Sequence, residues 1–453
     1  MKKKLSLGIA LLISIFQVNS IYAVTIPETV KQEAMALEIE AHGAILIDAT
    51  TGDILYQKNI DERLYPASIT KLMTVLLALE YGKLDEVVTF SYEATHSIPY
   101  NSSHISVDTN EQLTIKQSLY AIMLQSANEV SNGVGEHISG SMDTFAVKMT
   151  ERSKELGCTS TNFVNAHGLH SDDHYTTARD MTLIAQELLK HEFFIELMGV
   201  TYYEIPPTNV QPETRNLYNQ NQLIRESSIF CYENSLGGKT GFTNEAGNTL
   251  VSFAKQGETT LISVVLKSTG YGNSYKDTAK LFDYGFNNFE TKTIAKKGDS
   301  PANITVIETQ TRKTLTLGPV TLSYPSDVVV TVPKNTPISS IVPTYNLQET
   351  YEAPIRQGEL VTNISFKLDD DIIATCNLVA DSTLLPTTSP ENNTPKNAPI
   401  SPIVVFFLLF VAISIIIGVR IVVSKIEYEK RRKRRQQRLQ KLRENPTNIN
   451  NKL

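Results

Sequence analysis

Ser68 heads a segment in which Leu72, Met73, Val75, Leu76, Leu77 and Leu79 follow with hardly a polar break. A helix that is apolar all round must be buried, so the chain has to build a core around this one. Lys71 lies three residues after Ser68, and positions i and i+3 of a helix share a face. Pro66, just before, marks a helix start. At that start, backbone N–H groups and the helix dipole favour an anion developing beside Ser68. An amine that has lost its proton can take the proton of a hydroxyl as the oxygen attacks a carbonyl. One stretch thus asks for a buried helix and places a nucleophile and its base at the helix end.

Two further motifs follow in order. Ser126-Ala127-Asn128 supplies a second hydroxyl and an amide from a loop, and Lys239-Thr240-Gly241 supplies a second cation and a hydroxyl from a strand edge. Each motif alone says little. Ser/Thr-x-x-Lys recurs as Thr293…Lys296 and Thr331…Lys334, to which no function is assigned. The information lies in three motifs in one order on the right kinds of element, the order of the penicillin-interacting serine enzymes.

The pattern around the motifs predicts an α/β (α+β) domain. Ala44–Asp48 and Ile54–Tyr56 flank the turn Thr50-Thr51-Gly52-Asp53 and read as a hairpin. Ile115–Leu124 reads as a buried helix leading to Ser126, and Val130–Leu156 as a helix stopped by Gly157. Thr177–Asp180 reads as a capping box before Met181, Ile184, Leu188 and Leu189. A β-rich run opens at Lys239 and continues through Leu250–Phe253 and Leu261–Leu266, and a helix over Thr278–Phe289 closes the domain. Strands at both ends of a helical middle imply a sheet with helices packed on it. Beyond residue 292, Ile304–Ile307, Thr314–Leu317, Val328–Val332 and Ile364–Leu368 are short β-branched segments punctuated by Pro, Gly and Asn. They predict a small all-β domain, a sandwich, over 293–381.

The ends of the chain carry different signals. Residues 1–23 have Lys2–Lys4, the apolar stretch Leu5–Phe16 and a small residue at Ala23, the pattern of a secretory signal peptide. Residues 382–401 are rich in Pro, Thr and Asn and read as a flexible linker. Residues 402–423 read as a membrane-spanning helix, and 424–453 as a basic cytoplasmic tail whose charge holds it inside. The formal charge of the whole chain is −6, although Lys2–Lys4 contribute +3 and the stretch from Arg420 onward +9. Residues 24–419 therefore carry −18, and an acidic body argues against a nucleic-acid partner. Three cysteines, Cys158, Cys231 and Cys376, cannot all pair; a Cys158–Cys231 disulfide is one reading and small buried hydrophobes the preferred one, and none has a spacing for metal or thiol chemistry.

With their surroundings, the motifs resemble the low-molecular-mass penicillin-binding proteins that act as D-alanyl-D-alanine carboxypeptidases. The likeness covers about residues 30–380. It includes Tyr65–Lys71, Asn165–Leu169, Tyr175–Asp180, Asn219-Gln220-Asn221 and Gly238–Thr243. The resemblance implies a penicillin-binding/β-lactamase-like fold with Ser68 as nucleophile toward peptidoglycan stem peptides and β-lactam antibiotics, and Lys71 as general base. Ser126 and Asn128 would assist proton transfer and hold the substrate amide. Lys239, Thr240, Gly241 and Thr243 would bind the substrate, Thr240 and Thr243 its terminal carboxylate. The backbone N–H groups of Ser68 and Phe242 would form the oxyanion hole. No cofactor is implied.

Two departures stand out. Phe242 occupies a position that is often His in this family, and a spanning segment replaces the amphipathic C-terminal helix of many relatives. His167, His170 and His174, with Asp172 and Asp173, could ligate zinc by type, but the family uses this segment to pin a surface loop, so no metal site is assigned. Two other functions compete. A β-lactamase of the glutamate-dependent kind is disfavoured because Glu-x-x-x-Asn does not occur between Ser126 and Lys239. A membrane-bound β-lactam sensor is disfavoured by a tail without apolar periodicity.

Overall fold

Every residue of Gly43–Asp48 is buried, because this strand lies inside a five-stranded antiparallel sheet with helices on both faces. Across the sheet the order is Ile54–Lys58, Gly43–Asp48, Thr259–Ser268, Gly247–Gln256, Ser235–Thr243. Side chains alternate between faces along a strand. Ala44 and Leu46 therefore join Leu250, Ala254 and Leu261 in a core under the helix Asn273–Asn288. Ile45 and Ile47 join Val251, Phe253 and Ile262 in the larger core on the other face. That core holds the helices Lys71–Tyr81, Ile115–Leu124, Asn128–Ser139 and Ala178–Leu188. The structure, a computed structural model, describes residues 28–387. The expected signal peptide, most of the linker, the spanning helix and the basic tail lie outside them. Among the described residues no helix is long and apolar enough to cross a membrane.

The hairpin and the Ile115–Leu124 helix form where the sequence places them. The expected helix from Val130 to Leu156 is two helices, Asn128–Ser139 and Met142–Glu155. Gly140 adopts φ +79° and ends the first, and the Ser141 hydroxyl accepts the Thr144 N–H at 3.1 Å to start the second. The last helix starts at Asn273, five residues earlier than expected. Thr177 does cap its helix by accepting the Asp180 N–H at 3.0 Å. The Asp180 carboxylate is engaged elsewhere, accepting from Ser160 N at 2.8 Å and Thr161 Oγ1 at 2.7 Å, so the capping box is half made.

The C-terminal β domain pairs Phe289–Ala295 with Val328–Pro333, a strand that runs through the expected boundary at 292/293. A six-stranded sheet completes it, in the order Ile341–Tyr345, Leu360–Leu368, Asp371–Ala380, Lys313–Ser323, Ala302–Gln310, Tyr351–Glu352. The two sheets share a core of residues such as Ile304, Val306, Leu322, Val330, Ile364 and Leu378. Thr51 meets Thr331 at 2.6 Å and Thr291 donates to Asp48, which ties this domain to the first hairpin. All three cysteines are free; Cys158 is buried as expected, whereas Cys231 is exposed and Cys376 half-buried. Cys231 therefore does not fill the core.

Candidate active site

Ser68 lies in a 3₁₀ turn, Ala67–Thr70, that runs straight into the helix Lys71–Tyr81. In a 3₁₀ turn side chains at i and i+3 eclipse, which brings the Lys71 amine over the Ser68 hydroxyl at 3.0 Å. Lys71 is fully buried, and its Nζ also donates to Asn128 Oδ1 and to the His167 carbonyl, each at 2.7 Å. Burial pushes its pKa well below the usual lysine value, and repulsion from Lys239 adds to that, with Glu129 opposing.

The turn is clamped from two sides. Thr249 Oγ1 donates to the Pro66 carbonyl at 2.7 Å. Gly168, at φ +87°, sits where a Cβ would fall 1.8 Å from the Ala67 carbonyl oxygen, so only glycine fits. Ala67 itself takes φ +51° and Ser126 φ +58°, uncommon values for residues with a Cβ, and both flank the reacting groups.

Strand Ser235–Thr243 forms the opposite wall. At Gly241 it runs against the Ser68 turn: a Cβ there would lie 2.8 Å from the Ser68 backbone nitrogen. The strand thus passes alongside Ser68 one residue before Phe242, whose ring is 61% exposed. Lys239 is buried below, donates to the Thr240 carbonyl at 2.8 Å, and has its pKa lowered to about 7 by that burial. The Ser126 hydroxyl is buried and has no hydrogen-bond partner among the described residues. Thr243 Oγ1 accepts from Ala246 N at 3.0 Å in the turn that follows the strand.

Ser68, Ser126, Asn128, Thr240, Gly241, Phe242 and Thr243 all line one cleft of about 530 Å³, with Lys71 and Lys239 buried beneath. Sequence reading did not place Asn101–Ser103, Leu169, Gln220, Glu245 and Asn248 on its walls. Leu169 and Gln220 fall in segments that carry the family likeness, whereas Asn101–Ser103, Glu245 and Asn248 belong to no motif or periodic segment. Two of the histidines are tied into the wall by hydrogen bonds. His174 accepts Val164 N on Nδ1 at 3.1 Å, so its Nε2–H donates to Thr70 Oγ1 at 2.8 Å. His167 Nδ1 accepts from Leu169 N at 3.1 Å. Burial holds His167 well below the usual histidine pKa and His174 down at about 3, each helped by Lys71. His170 lies edge-on to Tyr65 at the rim.

The arrangement holds a hydroxyl, an amine whose pKa burial lowers and a second buried lysine around one cleft, which suits acyl transfer. Comparison with known proteins agrees. Residues 28–270 match the family described as D-alanyl-D-alanine carboxypeptidase, and residues 289–384 match the C-terminal domain of penicillin-binding protein 5. D-alanyl-D-alanine carboxypeptidase DacF of Bacillus subtilis is 32% identical over 341 residues, 74% of this chain and 83% of that protein. DacA of Escherichia coli K12 is 30% identical over 74% of this chain and 81% of its own length. The solved penicillin-binding protein 5 of Haemophilus influenzae superposes with a TM-score of 0.67 at 28% identity, covering 77% of this chain and 99% of that one. With this site on this fold, the chain belongs to the serine-type D-alanyl-D-alanine carboxypeptidase family.

Proposed function

We propose that the chain removes the terminal D-alanine of peptidoglycan stem pentapeptides through an acyl-enzyme on Ser68, and that penicillin acylates the same oxygen. The contact that carries this reading is Lys71 Nζ at 3.0 Å from Ser68 Oγ. A neutral amine has two N–H bonds and one lone pair. The carbonyl oxygens of Asn128 and His167 accept the two N–H groups at 2.7 Å each, which leaves the lone pair for the Ser68 proton. Ser68 then attacks the carbonyl between the two D-alanines, and the oxyanion meets the backbone N–H groups of Ser68 and Phe242. A single such donor contributes about 2.7–4 kcal/mol. The proton reaches the leaving amine through Lys71 and Ser126, and water later releases the shortened peptide. Asn128 holds the substrate amide. Lys239, Thr240 and Thr243 attract and bind the terminal carboxylate, with Gly241 giving the strand its close approach. To test this, the purified protein is incubated with a D-Ala-D-Ala peptide and separately with penicillin. D-alanine release plus a long-lived adduct on Ser68 supports the reading. Rapid penicillin turnover instead would mark a β-lactamase, and an adduct without peptide cleavage a sensor.

The placement of the enzyme belongs to the same proposal. Residues 1–23 export the chain, the catalytic and β domains up to residue 381 lie outside the membrane, 402–423 span it once, and 424–453 stay in the cytoplasm. The support is a stretch without charge from Asn397 to Val419, followed directly by a block from Lys425 to Arg435. Protease added to intact protoplasts should digest the catalytic domain and spare the tail; a cleaved tail overturns this topology.

A further inference from the structure

Glu129 is a buried carboxylate that the chemistry above leaves unused. It is the second residue of the helix Asn128–Ser139 and only 1% exposed. One carboxylate oxygen accepts the Ile105 N–H at 2.7 Å and lies 3.5 Å from Val107 N. Both amides reach a single oxygen because Ser106, between them, takes φ +57° and turns successive N–H groups the same way. The other oxygen is buried without a hydrogen-bond partner among the described residues. Burial pushes its pKa up, and the Ile105 and Val107 N–H groups work against that shift.

The segment that Glu129 grips is the cleft wall carrying Asn101, Ser102 and Ser103. The same segment returns to the catalytic helix, since the Ser103 carbonyl accepts the Asn128 N–H at 2.9 Å. We infer that Glu129 is a positioning residue, which pins this wall to the start of the helix and so holds the Asn128 amide on Lys71. The inference deepens the carboxypeptidase reading and rests on it. A rival account gives the carboxylate a role in stability alone. In that account Arg215 fixes the loop, donating to the Ser106 carbonyl at 2.9 Å and to Glu111 at 2.6 Å.

The test compares the full-length parent with Glu129→Gln and Glu129→Ala. It measures the rate of penicillin labelling on Ser68, kcat and KM for a D-Ala-D-Ala peptide, and Tm. Glutamine keeps a carbonyl oxygen for the Ile105 N–H, so its labelling rate and kcat should stay near the parent's. Alanine should lower both by about 100-fold in the folded protein, the scale of an ångström-sized misplacement, with KM changing less. Glu129→Asp, one methylene too short, covers the case in which the alanine variant does not fold and should lose rate in the same sense. A folded alanine or aspartate variant with the parent's kcat and only a lower Tm overturns the inference. So does a glutamine variant as slow as the alanine one. A parent that labels on Ser68 but releases no D-alanine removes the carboxypeptidase reading, while the Glu129 comparison is still read from the labelling rates.

Discussion

The two lysines of the cleft are equally buried and differently held. Lys71 has three partners on three separate elements: the 3₁₀ turn before its own helix, the Asn128 helix and the His167 loop. Lys239 makes one side-chain hydrogen bond among the described residues, to the carbonyl of its own neighbour Thr240, and stands behind residues that line the cleft. The inner wall thus fixes one amine on one hydroxyl, whereas the outer wall sets a second lysine behind the cleft-lining Thr240, Gly241 and Thr243. Damage to the inner wall should therefore appear in the chemical step, and damage to the outer wall in substrate binding.

Ser68→Ala gives the largest expected effect on that division, abolishing both D-alanine release and covalent penicillin labelling. Mass spectrometry that finds the adduct on another serine would remove Ser68 as the nucleophile. Next comes Lys71→Arg, which keeps a cation and loses the base, because arginine stays protonated. Acylation should fall by about 10²–10⁴-fold, the usual worth of general-base help. Near-parent labelling of a folded arginine variant would mean that Lys71 serves only as a charge.

On the outer wall, Thr240→Val should raise KM for the peptide by about 10–100-fold, the cost of one hydrogen bond to a charged group, with a smaller change in kcat. Equal losses in both would dissolve the contrast between the walls. The finest test is the pH profile of kcat/KM, which reports the free enzyme. Lys71 must lose its proton to act, so activity rises with pH through its depressed pKa. Lys239 must keep its proton to attract a carboxylate, so activity falls above its value of about 7. A peptide ending in an amide instead of a carboxylate should lack the falling limb. If both substrates show it, Lys239 does more than attract the carboxylate.

What the sequence revealed depended on whether a residue's partner was local. The Ile115–Leu124 helix is legible because Thr114 and Gln117 form a true capping box ahead of an apolar run. The split at Gly140-Ser141 was present in the letters and hidden by the apolar pattern on either side. Ser68, Lys71 and the Lys239–Gly241 strand, which meet at the cleft, could be found from motifs. The cause of the Lys71 pKa shift could be named only in part, since Lys239 is visible in sequence while complete burial and the His167 carbonyl are not. The wall segment Asn101–Val107 has no period at all, and its partners Glu129 and Arg215 lie more than twenty residues later, so nothing nearby in the chain announces it.

The strand order has a consequence for how the molecule is made. Gly43–Asp48 is hydrogen-bonded on one side to Ile54–Lys58, which follows at once, and on the other to Thr259–Ser268, more than two hundred residues on. The first hairpin can form as soon as it is synthesised. Its inner edge stays open until nearly the whole catalytic domain has been made, and an open edge with an apolar face is a template for pairing with other chains. Closing so long a loop is also slow. A chain cut before Thr259 would carry the nucleophile, its base and Ser126, yet expose an unpaired strand. Assembly of the active site therefore comes late, when the last strands arrive to seal the first.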